Sequence, residues 1–177
     1  FHSKRSMNEQ KVLVIVGHPQ QEKSQMNREL AEAWSALGAT EIRWIDESPL
    51  DVAEEQRAVK QADVVVFQFP LYWYGAPACF KRWLDEVLTW GWAFGPDGGL
   101  LGGRSLACSI TVGGRMSDYS IEGKHATTME ELCKPMERMA AYVGLEWKGV
   151  MGWDRNRLND IKAENGLNGA LLSLLKN

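Results

Sequence analysis

The chain has 177 residues, 45% of them hydrophobic and 24% charged, with a formal net charge of −3. That length suits one substantial core and is short for two ordinary domains, and the mixture is that of a folded chain rather than a disordered one. There is no Lys/Arg block of the kind nucleic acid or an anionic membrane requires, and apolar runs such as "VLVIVG" and "VVVF" fall far short of a membrane span.

The polar start "FHSKRSMNEQ" has no secretory pattern. Met7 reads as the initiator and residues 1–6 as an appended remnant, so His2 is set aside and one domain is taken to span residues 7–177. Residues 11–17 ("KVLVIVG") predict a strand apolar on both faces, as a central parallel strand requires. Leu30, Ala31, Trp34 and Leu37 lie at helical spacing and predict a helix over 27–37. Residues 41–46 ("EIRWID") alternate and suit a strand nearer an edge. A short polar helix over 54–61 and a second fully buried strand over 63–69 follow. Pro77 is expected in the first turn of the next helix, where its missing N–H costs nothing. Phe80, Trp83, Leu84, Val87 and Leu88 form that helix's buried stripe.

Residues 105–112 predict a third buried strand, and apolar residues recurring every three or four positions from Met129 to Val143 predict one longer helix. A last strand over 146–151 precedes a helical tail over 156–175, broken at Gly166 and Gly169. Strands apolar on both faces and alternating with helices mean a parallel sheet wrapped on both sides. Five strands in this length fit a doubly wound α/β fold with the flavodoxin-like order 2-1-3-4-5. The three cysteines, Cys79, Cys108 and Cys133, sit in apolar surroundings without a C-x-x-C pair. They read as small buried residues of a reducing compartment.

In such a sheet the ligand sits beyond the carboxyl ends of the strands, near the reversal of strand order. The loops there read "GHPQQEKSQMN", "PLYWYGAP" and "GGRMSDYSIEGKH". The first has no G-x-G-x-x-G and no Walker lysine. His18 is followed by Ser24, Gln25 and Asn27 at a helix mouth, where they either supplement the helix amides around a phosphate or, for Ser24, simply cap the helix. Tyr72, Trp73 and Tyr74 stand between two prolines, placed to stack on a planar heterocycle. "WGWAFG" overhangs the same edge. Gly113 and Gly114 permit close backbone approach. Apart from His2 the chain has only His18 and His125, and both fall in these loops with Tyr119 between them and the same cleft. A flat, phosphate-bearing cofactor, most simply a flavin, satisfies all three loops.

At these residues the sequence resembles the flavodoxin-like NAD(P)H:quinone oxidoreductases, over nearly the whole stretch 11–151. The matching features are "GHP" with Ser24 and Asn27, "QFPLYWYGAP-x-x-x-K-x-W-x-D-x-V", "GWAFG", "TVGG" and the Tyr119/His125 pair. "GWAFG…GG-x-L-x-G" looks most like the bacterial branch that includes ancillary subunits of glutathione-gated potassium efflux systems. The resemblance implies that His18, Ser24, Gln25, Met26 and Asn27 hold the flavin's phosphate and ribityl region. Leu71, Tyr72, Trp73 and Tyr74 would lie along its ring with backbone N–H groups on the polar rim, and Thr111, Val112, Gly113 and Gly114 on the pyrimidine side. Tyr119 and His125 would be catalytic, and Trp92 and Phe94 would line the substrate slot across a homodimer interface. Larger family members hold FAD through extra C-terminal segments that this chain does not match, so FMN is expected and FAD is the alternative.

The implied reaction passes hydride from NAD(P)H through the flavin to a quinone or similar flat acceptor, in the cytoplasm or peripherally at the inner membrane. A regulatory flavin-binding subunit contacting a potassium efflux transporter is the alternative, since the family contains both. A one-electron carrier is a third reading, disfavoured by the Tyr/His pair and by a charge far less acidic than such carriers have.

Overall fold

The computed structural model describes residues 10–39, 41–96 and 99–176; the remnant read at residues 1–6 lies outside them. Five parallel strands, β1 (Val12–Gly17), β2 (Glu41–Ile45), β3 (Val64–Pro70), β4 (Ser105–Thr111) and β5 (Glu146–Trp153), form one sheet in the order β2-β1-β3-β4-β5. Successive residues of a strand point to opposite faces. Leu13 and Ile15 therefore enter one core cluster while Val12, Val14 and Val16 enter another.

Both faces need covering, and the helices supply it. In chain order among the described residues they are α1 (Gln25–Ala36), α2 (Val52–Gln61), α3 (Ala78–Val87), α4 (Met129–Leu132), α5 (Lys134–Val143), α6 (Arg155–Ala163) and α7 (Leu167–Lys176). Helices α2 to α5 pack on the Leu13 face and α1, α6 and α7 on the Val14 face. The flavodoxin-like order expected from the sequence is the one found.

Several expectations need correction. Pro77 occupies the N-cap of α3 rather than its first turn, because its ψ of 155° is extended. Leu84 and Leu88 are only partly buried: they pack against the core and also line a groove. The helix expected from Met129 to Val143 is two helices with a break at Cys133. Pro135 has no N–H to continue the hydrogen-bond ladder and lies in the first turn of the second, which begins at Lys134. A Thr128–Glu131 capping box starts the first. The tail breaks at Asn165 and Gly166, where Asn165 has φ of 55°, whereas Gly169 lies inside α7. The "polar" helix α2 carries one buried carboxylate, Glu55, which is 5% exposed. The three cysteines are buried and free. Burial, then the neighbouring Cys133 thiol, raises the Cys108 pKa far above its ordinary value. No described helix is long and apolar enough to cross a membrane.

Candidate active site

The carboxyl ends of β1, β3 and β4 lie side by side, and each opens into one of the three unusual loops. After β1, His18 N–H donates to Ile45 O at 3.0 Å, tying the loop to the end of β2. Its Nδ1 accepts from Gln20 N–H at 3.0 Å, so the neutral ring carries its proton on Nε2, facing Tyr72 Oη at 3.3 Å. Burial holds the imidazole pKa below its ordinary value, which favours that neutral form. Ser24 does not cap α1: its hydroxyl accepts instead from Asn27 Nδ2 at 3.1 Å, and no side chain caps the helix. The first-turn amides of α1 keep their capacity for an anion. Gln25 is exposed and Met26 half-buried beside them.

Asn27 is buried and also donates from Nδ2 to Thr111 Oγ1 at 2.9 Å, while Gln68 Nε2 donates to Asn27 O at 2.9 Å. Thr111 O accepts from Leu71 N–H at 2.8 Å. One residue at the end of β4 thus joins the α1 mouth and the aromatic turn. Gln68 was not anticipated. Its signal was an amide in an otherwise apolar strand, "VVVFQF", which a buried position tolerates only with a partner. Asn27 Oδ1 and Gln68 Oε1 remain buried without a partner among the described residues.

The turn after β3 is strained. Tyr72 and Gly75 exchange two backbone hydrogen bonds, Tyr72 N–H to Gly75 O at 2.9 Å and Gly75 N–H to Tyr72 O at 3.0 Å. Between them Trp73 (φ 49°) and Tyr74 (φ 64°) take left-handed conformations. This type I′ geometry normally recruits Asn and Gly. Two bulky aromatics held there cost of order 1–3 kcal/mol each, strain of a kind that clusters at ligand clamps. Trp73 is 95% exposed, so core packing does not explain its retention. The expectation that the N–H groups of Leu71 to Tyr74 all face a ligand is corrected: Leu71 and Tyr72 spend theirs within the protein, leaving those of Trp73 and Tyr74 without a backbone acceptor among the described residues. Val112 likewise donates its N–H to Trp153 O at 2.8 Å and is buried.

In the third loop Gly113 and Gly114 are exposed, and a side chain at Gly113 would meet nothing within 4 Å. Tyr119 and His125 stack, centroids 4.4 Å apart at 25°. His125 N–H donates to Asp118 O at 3.0 Å, and His125 Nδ1 shares a hydrogen bond with Tyr74 Oη at 3.1 Å. Burial first, then Tyr74 and Asp118, raises the Tyr119 pKa, keeping its phenol a donor at neutral pH. Asp154, also unanticipated, accepts from Met116 N–H at 2.5 Å and from Arg157 N–H at 2.7 Å, pinning this loop to the start of α6.

Beside the turn runs an apolar groove of about 460 Å³ between α3 and α5, lined by Leu71, Tyr74, Leu84, Phe94, Met136 and Met139 among others. Phe94 lines it; Trp92 is not among its lining residues and packs half-buried against the core. Trp90, Phe94 and Tyr142 form a chain of ring contacts, with Trp90 and Tyr142 69% and 73% exposed.

The doubly wound sheet carries its strained aromatic turn and the uncapped helix mouth at the strand-order reversal, the place where α/β proteins of this class bind ligands. The chain belongs to the Flavodoxin_2 family, described as having a flavodoxin-like fold, whose model matches residues 10–176. It is 36% identical over 140 residues to the glutathione-regulated potassium-efflux system ancillary protein KefF of Enterobacter sp. (strain 638), covering 77% of this chain and 78% of that protein. General stress protein 14 of Treponema denticola, solved in complex with FMN, superposes with a TM-score of 0.80 at 29% identity, covering 93% of this chain and 97% of that one. An NADPH-quinone reductase from P. pentosaceus superposes with a TM-score of 0.79 at 26% identity, covering 90% and 94%.

Proposed function

We propose that this protein is an FMN-dependent NAD(P)H:quinone oxidoreductase. The observation that carries the reading is the strained Trp73–Tyr74 turn beside an uncapped α1 and the stacked Tyr119–His125 pair. These residues fit a flavin: aromatic faces and two unspent N–H groups for the ring, first-turn amides of α1 with Ser24, Gln25 and Met26 for the phosphate, and open glycines 113 and 114 for the pyrimidine edge. Bound there, a flavin supplies two-electron redox chemistry that no side chain offers.

The protein's part is placement and protons. Tyr72 and His18 brace one end of the turn, Thr111 fixes its base, and Tyr119 and His125 present donors where negative charge develops. FMN is favoured over FAD because α6 and α7 are committed to the core: Leu158, Leu171, Leu174 and Leu175 are buried against the sheet. The FMN complex of the Treponema protein supports the same choice.

We read the exposed Trp90–Phe94–Tyr142 edge of the apolar groove as a homodimer face, which leaves the groove itself open to a flat acceptor, since exposed apolar residues of this kind mark an interaction surface. We propose that the protein works in the cytoplasm or peripherally at the inner membrane, a reading its likeness to KefF supports. The likeness to KefF favours a second role, as an ancillary subunit contacting a potassium efflux transporter.

The test is gel filtration with FMN, followed by turnover. Yellow protein should elute at about twice 19.9 kDa and oxidise NADPH with added quinone. Failure to retain FMN sinks the proposal. Negligible turnover together with binding to a transporter's cytoplasmic domain would favour the ancillary role. Trp73→Gly offers a finer check. Glycine removes the left-handed strain, so the variant should be about 0.5 kcal/mol more stable to denaturant. Losing one aromatic face should weaken FMN binding about tenfold by fluorescence titration. Unchanged affinity would exclude Trp73 from the clasp.

A further inference from the structure

The groove and the Tyr119–His125 pair do not coincide: neither residue of the pair lines the groove. A flat acceptor lying there has little protic surface to meet. Lys81 and Asp85 pair with each other at 2.5 Å, and Cys133 is buried at 4% exposure. Tyr142, which also lines the groove, has its ring against Phe94 and is largely exposed. Among the described residues it is Tyr74 that joins the two regions. It lines the groove, and its Oη shares a hydrogen bond with His125 Nδ1 at 3.1 Å, with the rings edge-on at 5.6 Å and 75°. The left-handed backbone at φ 64° is what keeps it there, and the reciprocal Tyr72–Gly75 hydrogen bonds hold that backbone.

Resting on the oxidoreductase reading above, we propose that Tyr74 is a catalytic residue, the conduit that carries a proton from His125 to an acceptor in the groove. Reduction of a p-quinone to the hydroquinone takes two electrons and two protons. NAD(P)H supplies both electrons and one proton as a hydride equivalent; the second proton must come from protein or solvent. The Tyr74 Oη–H bond breaks as a bond forms between that hydrogen and the quinone oxygen. Oη takes the proton carried on His125 Nδ1 as the ring's Nε2 takes one from solvent, so the imidazole ends with as many protons as it began. The groups facing His125 are Tyr74 at its edge, Tyr119 on its face and Asp118, whose carbonyl holds its backbone N–H.

The test compares Tyr74→Phe with the parent protein, both loaded with FMN, on a water-soluble p-quinone and on ferricyanide, which takes electrons without a proton. The quinone-to-ferricyanide rate ratio should fall about a hundredfold, the scale of a lost general acid. In flavin-free protein, the imidazole 15N resonances of His125 should move when the Tyr74 hydroxyl is removed, because its Nδ1 loses a partner. Rates that fall in step on both acceptors, or unmoved 15N resonances, overturn the proposal. A parent protein that reduces neither acceptor overturns the oxidoreductase reading itself, and the proposal goes with it.

Discussion

A protein carrying both Tyr119→Phe and His125→Leu should keep its flavin and lose about a thousandfold in kcat, within the range for removed general acids and charge-stabilising donors. The cofactor stays because neither side chain belongs to the Asn27–Thr111–Gln68 lattice or to the aromatic turn. Turnover falls because the stacked pair supplies the donors of the third loop, and the raised Tyr119 pKa keeps its phenol protonated through the neutral range. No alkaline limb of the pH–rate profile should therefore come from Tyr119 below the ordinary tyrosine value. The check is visible absorbance for flavin content alongside steady-state rates with NADPH and a quinone. Wild-type rates from the double variant would remove both residues from the reaction.

Glu55→Ala should destabilise the fold by about 2–3 kcal/mol, roughly a 5–10 °C fall in Tm for a chain of this size. The Glu55 carboxylate accepts from Trp83 Nε1 at 2.8 Å and from Arg43 Nη2 at 2.6 Å and Nε at 3.1 Å, so it ties α2 to both α3 and β2. Removing it leaves the indole N–H of Trp83 buried, at 1% residue exposure, without an acceptor, and leaves the Arg43 guanidinium short of a partner. Arg43 keeps its contact with Glu41, and its partial exposure to water limits the loss, so the estimate lies below the full cost of breaking a buried pair. Glu55→Gln retains one acceptor oxygen and should lose less than half as much. Equal losses from both variants in thermal melts would mean that the charge, rather than the acceptor, holds α3 in place.

The sheet was legible because its signal is local. Runs such as "VLVIVG" and "VVVFQF" are apolar at every position, which only a strand covered on both faces sustains. Helix ends were harder. The spacing from Met129 to Val143 continues across Cys133 as though nothing intervened, and only the missing N–H of Pro135 ends the first segment. Glu55 looked solvated because its indole partner is 28 positions away in the chain and meets it only in the folded state.

The loops that would bind were identifiable from their rare residue types, but their internal bonding was not. Periodicity carries no sign that Ser24 serves Asn27 instead of capping α1, or that the Leu71 and Tyr72 amides are already spent. The Tyr74–His125 contact spans 51 positions and depends on a backbone conformation that propensity disfavours for tyrosine.

Thr111 has one further consequence. Its hydroxyl and carbonyl fasten the start of α1 and the aromatic turn to a strand end that is itself fully enclosed. Such a receptor is preorganised: docking does not have to freeze wandering loops, so little of the contact energy is lost to ordering. Affinity then depends on shape already present in the empty fold, and a weakened Thr111 would show itself as slower capture of the ligand rather than as poorer grip once it is seated.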